Sequence, residues 1–403
     1  VKLSKVDGNW RDNSSAYESD LNEEMRTLID LYYESDLVSK GHRDFFFDIE
    51  VERDEDGYST PDEARSRITS IAYYDKAGHT MKVLLLDEAR RVKHDSFSTN
   101  KYDVEIFDSE ATMLMRFINA FAEIQPTVIT GWNTDNFDIP YLVNRIKKVL
   151  GAQAVKKLSP AGIVEWNKNR ERYKIFGVSS LDYLTLYKKF TYTELPNYRL
   201  DTVAKKELGR GKVEYDGDLD QLFATDIHKF VEYNVTDVDL IYEMDEKLQL
   251  IALARTICHK GHVPYEDVYY ASKYLDGAAI VDLKRNGLVA PNKQFRFVDT
   301  ESEADALAGA YVKDPIPGLY KWIYDLDLTS LYPSIIMSLN ISPETKIGVI
   351  SNWNQECLLK DEAQQAKFVD GTYVQNVKQW LQDKQHTVAS NGAVYRTDIK
   401  GFL

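Results

Sequence analysis

The sequence predicts a mixed α/β protein built in layers. Three observations carry that expectation. Apolar, strand-like runs fill residues 44–90 between turn-rich stretches, amphipathic helical spacing follows from residue 109 onward, and together they give the order β-β-β-α-β-α…α. With 403 residues the chain is long enough for two or three domains.

Residues 1–43 are polar and charged, apart from a helical pattern at Leu21–Tyr33 (Leu21, Met25, Leu28, Ile29, Tyr32). RDFFFDIEV, ITSIAYYD and TMKVLLLD then read as three strands, and the turn-rich DEDGYSTPDEA and DKAGH between them predict a meander. In SEATMLMRFINAFAEIQ, Met113, Leu114, Phe117, Ile118 and Phe121 recur at helical spacing, with Ser109 as the expected cap. PTVITGWN reads as a short buried strand with a loop after it. DIPYLVNRIKKVLG reads as a helix that tolerates Pro140 in its first turn. Residues 161–176 suggest a hairpin with a basic, polar tip. Helical patterns follow near 179–190, 200–208, 226–250 and 267–286. YKWIYDLDLTSLYPSIIMSLNIS opens a second strand–loop–helix unit.

The net charge of −14 argues against gripping nucleic acid by bulk electrostatics. It is compatible with carboxylates that gather divalent cations, which in turn meet phosphate. No run reaches the roughly 18–20 apolar residues of a membrane span, and the first ten residues, VKLSKVDGNW, have no apolar signal-peptide core. Both ends look cut, as in a piece of a larger protein. Cys258 and Cys357 are too far apart for a disulfide framework, so a reducing compartment is expected. Cys258, His259 and His262 in CHKGH lack a CxxC partner, and a helix end at Gly261 is the preferred account.

Several acids stand out. In FFFDIE, Asp48 and Glu50 are two apart on a strand and project to one side, while Phe45, Phe47 and Ile49 project to the other. Paired carboxylates at the end of a buried strand repel unless a cation lies between them, and hard oxygen ligands suit Mg²⁺ or Mn²⁺. Taken alone, the pair reads better as a strand leaving the core with both acids solvated. In GWNTDNFDIPYL, Asp138 stands at a loop-to-helix junction, where a helix cap is the simpler account. In VEYNVTDVDLIYEM, Tyr233 and Asp237 are i and i+4 and share a helical face. Asp237 lies between apolar Val235 and Val238, though a surface acid on an amphipathic helix would look similar.

The set FDIE, N-x-x-x-F-D and Y-x-x-x-D, in that order, resembles the proofreading 3′→5′ exonuclease domain of family B DNA polymerases. SLDYLTLYKKF (180–190), YRLDTVAKKELGRGKVEYDG (198–217), DLTSLYPSII (327–336) and NISPET (340–345) resemble the T-even phage branch of that family. The resemblance spans residues 44–345. It implies a ribonuclease-H-like mixed sheet flanked by helices, then a helical connection and a partial α+β polymerase palm. The implied divisions are 1–43 as the remnant of an N-terminal domain, 44–250 as the exonuclease domain, 251–299 as a helical connecting region and 300–403 as an incomplete palm.

The resemblance also implies roles. Asp48, Glu50, Asp138 and Asp237 would hold two divalent cations, Mg²⁺ or Mn²⁺, and Tyr233 would orient the attacking water. Asn133, Phe137 and Tyr58 (in Asp56-Gly57-Tyr58) would contact single-stranded DNA, with ordinary packing as the alternative for the two aromatics. Arg170 and Arg172 on the 161–176 hairpin would face the DNA backbone, unless that hairpin is a solvated loop. Asp327 would be a metal ligand of the polymerase site, with Leu331 and Tyr332 under the incoming nucleotide. The fingers motif and the second palm carboxylate motif are absent, so no polymerisation is expected from this chain alone. Expected partners are DNA (3′ single-stranded ends and primer–template), a C-terminal polymerase portion and a sliding clamp, in the cytoplasm of an infected bacterium. The competing function is a non-catalytic DNA-binding or assembly fragment of a split polymerase. A stand-alone exonuclease is disfavoured by DLTSLYPSII.

Overall fold

The computed structural model describes residues 17–37, 39–53, 57, 59–94, 96–292, 312–354, 356 and 365–403. The chain divides after Asn292 into two compact units, Val1–Asn292 and Lys293–Leu403. In the first, helix α1 (Glu23–Tyr32) is capped by Asn22, whose side chain accepts from the Met25 N–H at 2.7 Å. Strands β1 (Asp44–Val51), β2 (Ile68–Asp75) and β3 (Thr80–Leu86) form the expected antiparallel meander. Beside them lie β4 (Ser96–Ser98), β5 (Asp103–Phe107), helix α2 (Glu110–Ile124), strand β6 (Val128–Thr130), helix α3 (Asp138–Leu150) and the short α4 (Ala152–Val155). Ser109 occupies the cap position of α2, but its side chain makes no capping bond.

Strands β7 (Val164–Asn167) and β8 (Arg172–Ile175) make a separate two-stranded hairpin, pairing Val164 with Ile175 and Asn167 with Arg172. After β9 (Ser179–Ser180) come α5 (Tyr183–Phe190), α6 (Leu200–Leu208), α7 (Leu219–Thr225), α8 (Ile227–Leu248), α9 (Leu250–Gly261) and α10 (Ala271–Arg285). The seven-stranded sheet runs β4-β5-β3-β2-β1-β6-β9. β5 is parallel to β3, β6 to β1 and β9 to β6, which makes the sheet mixed.

Alternation along β1 splits the core in two. Phe45, Phe47, Ile49 and Val51 face α2 and α3, where Phe45 stacks on Tyr73 (centroids 5.0 Å apart) and meets Phe121 edge-on at 5.5 Å. Phe46 faces the other way and meets Tyr242 of α8 at 5.8 Å. Each fully buried aromatic of this kind stabilises the fold by about 1.5–3 kcal/mol. Both faces of β1 are therefore committed to packing, and the strand is fixed in register and in rotation. Asp48 and Glu50 share the face of Phe46, toward α8, which packs on β1 and β2.

The second unit holds α11 (Leu331–Leu339), β10 (Lys346–Val349), β11 (Ala366–Lys367), β12 (Tyr373–Val374), α12 (Val377–Lys384), β13 (His386–Val388) and β14 (Ala393–Arg396). Its sheet runs β10-β14-β13 over a small core of Ile350, Phe368, Val377, Leu381 and Val394. The helix expected after DLTS is present, but the strand expected in YKWIYDLDL is not: residues 320–328 are exposed and unpaired with any strand. A strand exists only by pairing, and no described element offers this segment an edge. Among the described residues no helix is long and apolar enough to cross a membrane.

Candidate active site

The site starts from the pairing of β1. Asp48 lies opposite Ala72 and Glu50 opposite Ser70, and the register shifts between Glu50 and Val51 before Val51 pairs with Ile68. Small residues opposite both acids leave room above this face. Asn234 of α8, fully buried, fills part of it. Its Nδ2 donates to Asp48 Oδ2 at 2.8 Å while its Oδ1 accepts from Ser70 Oγ at 2.7 Å. The amide thereby fixes the orientation of the Asp48 carboxylate.

Asp138 arrives from the loop after β6. That loop runs close to β1: a Cβ on Gly131 would lie 2.5 Å from the Phe47 carbonyl oxygen and 2.4 Å from Thr134 Cγ2, so only glycine fits. Asn133 turns the chain in the left-handed region (φ 65°), and its carbonyl accepts from the Asn136 and Phe137 N–H groups, both at 3.1 Å. Asp138 is the first residue of α3 rather than its cap, and its Oδ1 accepts from the Ile49 N–H at 3.2 Å. The helix N-terminus favours this negative charge.

Asp237 projects from α8 and is 2 % exposed. Ligand oxygens of Asp48, Glu50 and Asp237 lie within 4.8 Å of one another, the one such group among the described residues. Asp138 lies outside that distance, although its charge acts on Asp48. Lys212, in the loop after α6, donates to Asp237 Oδ2 and to the Tyr233 hydroxyl, the latter at 3.0 Å. Its Nζ also lies 4.9 Å from the Tyr233 ring centroid, and Tyr215 meets that ring edge-on at 5.3 Å. Asp237 Oδ1 is buried with no hydrogen-bond partner.

These acids are poorly satisfied by the protein alone. Burial, then the charges of Asp138, Glu50 and Asp237, push Asp48 well above the usual carboxylate range. Burial and Asp237 push Glu50 up to about 8. Burial pushes Asp138 up to about 7, opposed by the hydrogen bond from the Ile49 backbone. Burial also raises Asp237, with Lys212 pulling the other way. One ammonium thus faces several carboxylates, and the bare Oδ1 of Asp237 points to a missing partner. A cluster of hard oxygens with a net negative charge and one orphaned buried oxygen fits a divalent cation such as Mg²⁺.

Lys212 and Asn234 were not among the residues singled out in the sequence. Lys212 sits inside the GRGK stretch and Asn234 is next to Tyr233, but only the folded chain brings them to Asp237 and Asp48. Of the expected DNA contacts, Asn133 spends its side-chain oxygen on Asn136 (2.9 Å) and Phe137 is half-buried against Tyr141 (centroids 5.6 Å). Tyr58 lies outside the described residues.

Arg172 departs from expectation. It is 9 % exposed and donates to Asp135 Oδ2 at 2.8 Å, so its guanidinium serves an internal ion pair and does not face outward. Arg170 pairs with Asp267 and lies 4.8 Å from the Tyr270 ring centroid. Asp327 is exposed, and Leu331 and Tyr332 lie on the exposed first turn of α11. Cys258 is buried and makes no disulfide with a described residue. It donates to the Tyr265 carbonyl at 3.5 Å, and α9 ends at Gly261 as the sequence suggested.

Two family models match. Residues 14–203 match the exonuclease domain of DNA polymerase family B, and residues 272–389 match DNA polymerase family B. The DNA-directed DNA polymerase of Escherichia phage RB69 is 35 % identical over 327 residues, covering 75 % of this chain and 35 % of that protein. The DNA-directed DNA polymerase of Enterobacteria phage T4 is 34 % identical over 326 residues, with the same shares covered. A DNA polymerase of Pyrococcus glycovorans is 30 % identical over 260 residues, or 60 % of this chain and 31 % of the relative. The chain spans about a third of the length of these relatives. The two models describe one family, and the phage relatives extend the match across most of the chain. On that evidence the chain belongs to the family B DNA polymerases, of which it carries the exonuclease domain and the start of the palm.

Proposed function

We propose that the chain is the proofreading 3′→5′ exonuclease part of a phage-type replicative DNA polymerase, hydrolysing the 3′-terminal phosphodiester of DNA with two divalent cations, Mg²⁺ or Mn²⁺. The observation that carries this reading is the convergence of Asp48, Glu50 and Asp237 within 4.8 Å, with Asp138 bonded to the strand between the first two. These four acids would hold the cations. Bound there, such ions stabilise both the attacking and the leaving oxygen of an in-line displacement at phosphorus.

The protein's own groups prepare that chemistry. Asn234 orients Asp48, and Lys212 holds one oxygen of Asp237 so that the other is presented bare. Burial raises the Tyr233 phenol and keeps it protonated. Its oxygen already accepts from Lys212, so its own proton is directed elsewhere, available to a water or a phosphate oxygen beside the acids. Asn133 and Phe137 stand at the mouth of the same loop and are proposed to meet the terminal bases, where stacking rather than charge would hold a single strand. The expected substrate is a single-stranded 3′ end, in the cytoplasm of an infected bacterial cell. Asp327, with Leu331 and Tyr332, is proposed as the start of a polymerase site.

Incubating 5′-labelled single-stranded DNA with the chain and Mg²⁺ should give a ladder shortened from the 3′ end, abolished by EDTA. No ladder would sink the reading. A second reading rests on α11, which buries none of its residues, and on exposed Trp322, Tyr324 and Leu326 before it. It makes the chain an assembly module for a separate C-terminal polymerase portion and a sliding clamp. Co-elution with such a portion, together with restored polymerisation, would favour it.

A further inference from the structure

Hydrogen bonds and one backbone turn together link the β7–β8 hairpin to the acid cluster. The link begins at Arg172 on β8, which donates from Nη1 to Asp135 Oδ2 at 2.8 Å. The pair is nearly dry, with side chains 11 % and 12 % exposed. The other Asp135 oxygen accepts from the Ser180 hydroxyl, and the Asp135 N–H donates to Asp182 Oδ2 at 3.2 Å. Asp182 is itself fixed as the cap of α5, accepting from the Thr185 N–H at 2.8 Å and the Thr185 hydroxyl at 3.0 Å. The Tyr269 ring centroid lies 5.7 Å from the Arg172 guanidinium.

Asp135 sits inside the turn that delivers Asp138. The turn is closed by the bonds to the Asn133 carbonyl and by the Ile139 N–H donating to the Thr134 carbonyl at 3.0 Å. Asp135 therefore cannot shift without carrying Asp138. Asp138 in turn bonds the Ile49 N–H, between Asp48 and Glu50.

We propose that Arg172 is a positioning residue for the exonuclease reaction: through Asp135 it holds the 131–138 turn so that Asp138 completes the carboxylate set. The inference rests on the exonuclease reading given above. It assigns Arg172 a task inside the protein in place of a phosphate contact. It also makes the placement of the hairpin, whose tip at residues 168–171 is largely exposed, a determinant of the geometry of the acids.

The test uses the full 403-residue chain and Mn²⁺ as the probe. Calorimetric titration should show Arg172→Ala weakening Mn²⁺ binding about tenfold, the scale of an outer supporting partner. The kcat on single-stranded DNA should fall with it while KM for DNA stays unchanged. Arg172→Lys keeps a cation opposite Asp135 and should recover most of both losses, and Lys168→Ala should match the wild type. If Arg172→Ala does not fold, Asp135→Asn carries the same expectation, because the amide still fits but the charge is gone. Unchanged Mn²⁺ binding with a raised KM and a shallower salt dependence would overturn the proposal in favour of a DNA contact. A wild-type chain that binds no Mn²⁺ and cuts no DNA overturns the exonuclease reading and this inference together. A wild-type chain that does both, with Arg172→Ala equal to it, overturns the inference alone.

Discussion

Asp237 and Asp327 began as the same kind of signal, an acid in a motif beside apolar residues, and the fold treats them oppositely. Asp237 is buried, bonded by Lys212 and crowded by Asp48 and Glu50. Asp327 is exposed on a segment that pairs with nothing described. The difference lies in the elements around them. β1 and α8 each bury an apolar stripe, and packing those stripes forces their acids together. Among the described residues no second strand pairs with the 320–328 segment, and its acid is exposed. An acid becomes a metal-ligand candidate when burial of its neighbours leaves it no alternative.

Four measurements break or sharpen that contrast. The largest effect is expected for Asp237→Ala, which should lower the exonuclease rate by at least about 10²–10³-fold, the scale of a lost preorganised electrostatic group. Gel assays at saturating Mg²⁺ would show it, and a loss under tenfold would contradict the role. Tyr233→Phe should follow at about 10²-fold in kcat, with Mn²⁺ binding nearly unchanged. Equal losses in both would remove the water-orienting task and leave only packing.

The third measurement concerns pH. Glu50 is pushed up to about 8 and Asp138 up to about 7, both above their ordinary values of 4.5 and 3.8. The folded, metal-free chain therefore holds more protons than the unfolded one between those limits. The contribution of these two groups to stability should be fullest near pH 4 and be lost as pH rises toward 8. Thermal melts in EDTA should show this loss, and added Mg²⁺ should reverse it at pH 8. A metal-free Tm that climbs from pH 5 to 8 would refute the crowding of these acids. The smallest effect belongs to Asp327→Ala, which should leave the exonuclease rate within about twofold, since surface changes away from special features cost little. A larger drop would mean that the two acids are coupled after all.

Much of this contrast could be read in advance. The meander of β1, β2 and β3 announced itself through FFFDIE, ITSIAYYD and KVLLL between turn-rich stretches, and α2, α3 and α8 through helical spacing. The short strands β4, β5 and β9 were not legible, because they have few residues and owe their strand character to neighbours already in the sheet. At the site, each motif acid taken alone read as a helix cap or a solvated acid, and only the ordered set FDIE, N-x-x-x-F-D and Y-x-x-x-D, through its family resemblance, singled them out. Lys212 and Asn234 were not singled out, since a lysine in a polar loop and an asparagine on a helix look ordinary until the fold brings them to a carboxylate. Arg172 misled for the mirror-image reason: a basic residue on a polar hairpin reads as solvent-facing, and only the position of Asp135 turns it inward.

One uncharged position governs the arrangement as firmly as any acid. At Gly131 the loop bearing Asp138 runs so near the Phe47 carbonyl that a single methyl group would displace it. Alanine is one base change away from any glycine codon. A lineage could therefore lose the proposed exonuclease activity in one mutational step that alters no charge, no proposed ligand and no hydrogen-bonding group. Such a mutant would look intact to anyone checking only the acids.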